Sequence, residues 1–201
     1  MSATQAPVPR ELQPYGLPMG TVRGFLSVLI CSFFWIVLLY PWQTQPTVPI
    51  GHFFLLTLVF LAFASHPVPE QNTAFLPWVM RVLFVGGSAV VIGVAMFKDP
   101  HQLAMRLTPN PAEIAQWPAL LGCLAGGFGV SLLLRSVFGR TSELFQTVRA
   151  WVGVIAVLLL LAETVFQFGI RPNMSDLSQD ALKVWEGILI AVVAGYFGSR
   201  A

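Results

Sequence analysis

Apolar residues in this chain come in long runs, not in strand-like alternation. Six runs, at about 23–41, 49–66, 78–97, 117–136, 149–169 and 182–199, approach or reach the length a helix needs to cross roughly 30 Å of hydrocarbon. Pro, Gly or charge bounds each run. The second is the weakest, because His52 and His66 bracket a core from Phe53 to Ser65, which leaves a re-entrant or tilted hairpin open there. Prolines fill the connections, and Pro77 and Pro118 suit first turns of helices. Asn110-Pro111-Ala112-Glu113 reads as a cap leading into a short helix that carries Trp117 to an interface, and Ser178 or Asp180 suits the cap of the last span. The expected fold is therefore all-α: a polytopic transmembrane helical bundle of about six spans arranged as three hairpins. Residues 1–22 form a cytoplasmic tail and 23–201 a single transmembrane domain.

Composition sharpens this picture. Hydrophobic residues make up 56% of the 201 and charged residues only 10%, with a mean hydropathy of +0.74, so water is not the main solvent. The net charge is +2, and the eleven basic residues are scattered singly, which excludes a nucleic-acid footprint. Cys31 and Cys123 both lie inside apolar runs without the paired spacing of a zinc site or disulfide frame. About twenty mostly polar residues precede the first run, which ends in Tyr40-Pro41-Trp42, so it reads as a retained span and not a cleaved leader.

Lys and Arg set the expected orientation. With the N-terminus inside, Arg10, Arg23, Arg81, Arg135, Arg140, Arg149 and Arg200 fall on the cytoplasmic side, against Lys98, Arg106, Arg171 and Lys183 outside. Arg23, Arg81, Arg149 and Arg200 are the expected interface anchors. Trp42, Trp78, Trp117, Trp151 and Trp185 lie near span ends, as an aromatic belt requires. Both termini are then cytoplasmic and the chain is a multi-pass protein of a bacterial inner membrane. Arginines opening odd spans and closing spans four and six fit three successive hairpins; positive-inside topology alone places them equally well.

Gly16-Leu17-Pro18-Met19-Gly20-Thr21-Val22-Arg23 ahead of the first span, with Tyr196-Phe197-Gly198-Ser199-Arg200 at the end, resembles a loose set of uncharacterised small bacterial membrane proteins, partly holin-like. Their leading segment reads Gly-Leu-Pro-x-Gly-Ser/Thr-Val-Arg and their tail Tyr-Phe-Gly-Ser-Arg. The match spans about thirteen of 201 residues. It implies a membrane location and transfers no catalytic residue.

Glu163 is the costliest residue, since an ionisable group deep in a bilayer costs several kcal/mol by insertion scales. Gln167, at i+4, shares its face. The pair reads either as an ion or proton site or as a hydrogen-bonded carboxyl that fixes helix packing. Glu186 opens the last span, where the helix dipole favours an anion, and a hairpin of spans five and six would bring it near Glu163. Met96, His101 and Met105 form a sparse group that a soft metal would suit, without recognised ligand spacing. His66 with Glu70, or His101 with Glu113, are the pairs an intramembrane enzyme would need. GxSxG, Ser-x-x-Lys, P-loop, GxGxxG and HExxH patterns are all missing from the sequence. No metal or cofactor is expected. Small residues at fourfold spacing, Gly187, Ala191, Gly195 and Ser199 in the last span and Gly122 and Gly126 in the fourth, mark helix-packing faces. The expected role is a non-catalytic membrane subunit or scaffold, its partners the bilayer and other membrane subunits or copies of itself. The alternative is a small channel, pore or transporter with a polar path near Glu163, Gln167 and Glu186.

Overall fold

The computed structural model describes residues 21–40, 47–64, 79–80, 82–109, 111–139, 142–171 and 179–199. Most of the N-terminal tail, His66, Glu70, Arg81, Asn110, Arg140, Ser178 and Arg200 lie outside the described residues. Every described element is helical: α1 (Thr21–Leu39), α2 (Ile50–Ala64), a π turn (Val82–Gly86) running into α3 (Gly87–Lys98), α4 (Pro100–Leu107), α5 (Pro111–Ile114), α6 (Trp117–Phe138), α7 (Glu143–Val165) with a second π turn (Phe166–Ile170), and α8 (Gln179–Gly198). Segments Val22–Leu39, Trp117–Phe138 and Glu143–Ile170 are long and apolar enough to cross a membrane; Ile50–Ala62 and Val82–Lys98 are shorter apolar helices.

Local chemistry sets the boundaries. Asp99 ends α3 and starts α4: its Oδ1 accepts from the amides of His101 and Gln102, both at 3.0 Å, with Pro100 in the first turn. Gly139 closes α6 at φ +75°, a conformation that favours glycine. Ser142 caps α7 by accepting from the Phe145 amide.

Four helices form the core, with α2 and α7 each packed against both α1 and α8. Leu26, Ile30, Phe33 and Val37 of α1 recur at helical spacing and meet Leu55 and Val59 of α2, Ala156 and Leu160 of α7, and Ile190 and Val193 of α8. The two remaining long helices flank this core: α3 lies on α1 and α6 lies on α8. The expected three-hairpin arrangement is therefore corrected in its middle member, because α3 packs chiefly on α1 and α6 chiefly on α8. Two polar ties fix the flank and the core: Trp35 Nε1 donates to Ser88 Oγ at 3.1 Å, beside Gly87 on the Trp35 ring, and the His52 ring, 4.3 Å from that of Phe33, bonds Ile30 O through Nε2 at 2.7 Å.

The closest helix contact joins α6 to α8. A Cβ on Gly127 would lie 2.2 Å from the Ala191 carbonyl oxygen, so the two backbones touch directly. Gly187 meets Cys123 Sγ, Gly195 meets the Gly127 carbonyl, and Gly198 meets Phe128. The small face of the last span thus lies in this contact, whereas on α6 the contact runs through Cys123, Gly127 and Phe128. Gly122 and Gly126 are exposed, with nothing within 4 Å of a Cβ. Their fourfold spacing falls one position away from the face that packs.

Gly127→Ala is accordingly expected to lower the Tm of the detergent-solubilised protein by forcing apart two backbones, at a cost of about 1–3 kcal/mol. Gly122→Ala should leave Tm unchanged or raise it slightly through helix propensity. Equal responses at the two positions would refute the assigned face.

Candidate functional site

One end of the bundle, where α1, α3 and α7 finish and α2, α6 and α8 begin, gathers the polar groups. Arg106 of α4, only 6% exposed, reaches into it: its Nη1 donates to the carbonyls of Val37 and Leu38, both at 2.9 Å, and of Tyr40 at 3.2 Å, while its own carbonyl accepts from the Val48 amide. A cation placed on the last carbonyls of α1 satisfies acceptors that a helix end leaves open and opposes its dipole. Sequence reading assigns Arg106 only to a charge count. Its actual work is to close α1.

Beside it lies the cluster around Glu163, which is 4% exposed. Glu163, Gln167 and Arg171 stand at i, i+4 and i+8 on α7 and its π turn, so they form one ladder. Arg171 Nη1 donates to Gln167 Oε1 at 2.7 Å, Gln167 Nε2 donates to Glu163 Oε1 at 2.7 Å, and Trp185 Nε1 of α8 donates to Glu163 Oε2. Both carboxylate oxygens are thereby engaged by N–H donors, one within α7 and one across to α8.

Glu186 lies one residue beyond Trp185, over the start of α2, where a Cβ on Gly51 would sit 3.2 Å from its Oε2. It is close enough to Glu113, Glu163 and Arg171 to feel all three charges. Glu113 comes from α5 and accepts from the Ile50 amide, capping α2; its Oε2 is buried with no hydrogen-bond partner among the described residues. Burial pushes the Glu113 carboxyl above the usual carboxylate range, against the opposing pull of the Ile50 amide and the Arg171 charge. Glu113, Gln116, Gln167, Arg171, Lys183 and Glu186 line a cavity of about 10 Å³, room for about one water.

Of the residues singled out in the sequence, Glu163, Gln167 and Glu186 therefore come together. No hydrogen bond or ion pair joins His101 to Glu113, and Met96 and Met105 are both exposed. Among the described residues no group of three or more His, Cys, Asp or Glu is arranged to hold a metal ion. Three members of the cluster were not among the expected polar site. Arg171 shares the Glu163 face at i+8, a signal the sequence carries; Trp185 reads only as a belt residue, and Glu113 carries no sign of its α2 contact. Arg23 is half-buried, and Arg149, expected as a headgroup anchor, is 8% exposed and lines a groove between helices.

No protein-family model, curated protein or solved structure matches this chain. Its chemistry is read from its own side chains. Two donors that converge on one carboxylate make a tie between α7 and α8, with Arg171 holding the Gln167 amide in place.

A double-mutant cycle with Glu163→Gln and Trp185→Phe tests the tie. Unfolding in detergent should show a coupling of roughly 0.5–1.7 kcal/mol, and a coupling near zero would remove it. Glu113 gives a pH test. A carboxyl whose value is raised on folding contributes stability that is full below its unfolded value and is lost as pH rises through the folded one. The Tm of Glu113→Gln relative to wild type should therefore climb as pH rises from about 4 through and beyond the ordinary carboxylate range; a falling difference would mean the fold favours the carboxylate.

Proposed function

We propose that this chain is a non-catalytic subunit or scaffold of a bacterial inner membrane, crossing it up to six times with both termini in the cytoplasm. The observation that carries the reading is the engagement of Glu163: both oxygens already accept from Gln167 and Trp185. A proton or ion site needs a path as well as a carboxylate, and here the neighbouring cavity is about 10 Å³. A polar path would also have to continue past Leu160, Ala156, Ile190 and Val193, all buried and apolar. That favours the scaffold over the pore.

The outer surface supports the same reading. Phe97 is 95% exposed, Val137 74% and Leu158 59%, on α3, α6 and α7 respectively. Apolar faces of this kind meet lipid or another membrane subunit. The polar end, with Arg106 and the Glu163 ladder, would lie toward the outer leaflet, and the end carrying Arg23 and Arg149 toward the cytoplasm.

Native mass spectrometry after mild detergent extraction from native membranes is the test. The expected species is this chain with different proteins in fixed ratio. Emergence alone or as a homo-oligomer would defeat the subunit reading, and ion flux that Glu163→Gln abolishes would establish the pore in its place.

A further inference from the structure

A second cavity lies away from the polar cluster. It is a groove of about 420 Å³ between α6, α7 and α8, within the roughly 300–1,000 Å³ of ligand pockets. Its walls are apolar, including Val130, Leu134, Val152 and Val192, and its floor is the small-residue contact of Gly127, Ala191 and Gly195. It exists because α6 and α7 touch at few points while both lean on α8. Its mouth faces outward, since Val130, Val148 and Ile155 along it are 57%, 45% and 44% exposed.

Two polar side chains, both more than nine-tenths buried, line this apolar groove. Arg149 is 8% exposed and Ser131 5%. Ser27, Thr57, Thr164 and Ser199 return their hydroxyls to a carbonyl three or four residues back, the usual solution in an apolar helix. Ser131 does not: its Oγ is buried with no partner among the described residues. Its hydroxyl is a donor held ready at a surface that otherwise offers only hydrocarbon.

We propose that this groove binds one acyl chain of an anionic phospholipid from the surrounding bilayer, with the phosphate at Arg149 and an ester carbonyl accepting from Ser131. Length agrees. Cys123 to Leu134 on α6 spans about 17 Å at 1.5 Å per residue, close to half of a hydrocarbon core of about 30 Å, so the groove is about as long as one acyl chain is deep. Width agrees as well, because a helix is about 10–12 Å across and needs far more than this volume over the same length, whereas a single chain is thin. Polarity agrees in direction: side chains tilt toward the start of their helix, which carries the Arg149 cation toward the membrane face where α7 begins and headgroups lie. The inference needs a bilayer but stands whether or not the chain has partner subunits.

The test is native mass spectrometry of the full chain released from nanodiscs of phosphatidylcholine and phosphatidylglycerol in equal parts. One phosphatidylglycerol is expected to stay bound in preference to phosphatidylcholine. Arg149→Met should lower that retention about five-fold, Arg149→Lys should largely restore it, and Gly126→Leu, at a groove position with open space for a side chain, should block it with the charge intact. Equal retention of the two lipids, or wild-type retention by Arg149→Met or Gly126→Leu, would overturn the site. Loss of a second copy of the chain, and not of lipid, from Gly126→Leu would overturn it too, by giving the groove to a partner helix.

Discussion

The bundle depends on one steric permission, the missing side chain at Gly127. Between helices in hydrocarbon there is no hydrophobic drive, and association comes from close packing and polar ties. There the backbone of α6 comes nearest to that of α8, against the Ala191 carbonyl. Gly195 and Gly198 extend the contact toward the end of α8. Because α6 is spent on α8, it leaves α3 to pack on α1 and leaves its own junction with α7 loose. The flank, the corrected hairpin and the groove are one consequence.

Polar groups do the complementary work at the other end. Without water, each buried donor and acceptor must be answered inside the chain. Arg106 answers the carbonyls of α1, Glu113 the first amide of α2, and Trp185 the carboxylate of α7. The first two link elements far apart in sequence, the third joins neighbouring helices, and each falls where a helix starts or stops. They hold the ends that apolar contacts, indifferent to register, leave free to slide.

The helices were legible in the sequence, since long apolar runs with Pro and Gly between them leave few alternatives, and observed helices occupy all six expected segments. The Glu163–Gln167 pair was legible for the same reason, as i+4 spacing is local. The approach of Glu186 to Glu163 was legible too, because their helices follow one another in the chain; what escaped were the choices that depend on more distant elements. Gly122, Gly126, Gly127 and Gly129 offer more than one small face, and only the fit to α8 selects Gly127. Arg106 and Arg149 are each just a positive charge near a span end until the fold shows one on the carbonyls of α1 and the other lining a groove.

The contrast between the two ends bears on what the chain can do. At the polar end, the side chains close in until a cavity of only about 10 Å³ remains, little room for a ligand. At the other, a groove opens outward, past the exposed Val130, Val148 and Ile155. A void there forfeits dispersion contacts along its whole lining, so in a membrane some hydrocarbon chain fills it by default. An acyl chain gains little by moving from lipid to an apolar groove, because its surroundings hardly change. Chain contact alone therefore cannot choose among lipids. On the proposed reading the choice falls to the polar pair along the groove, where a phosphate near Arg149 or a carbonyl near Ser131 is worth more than it would be in water.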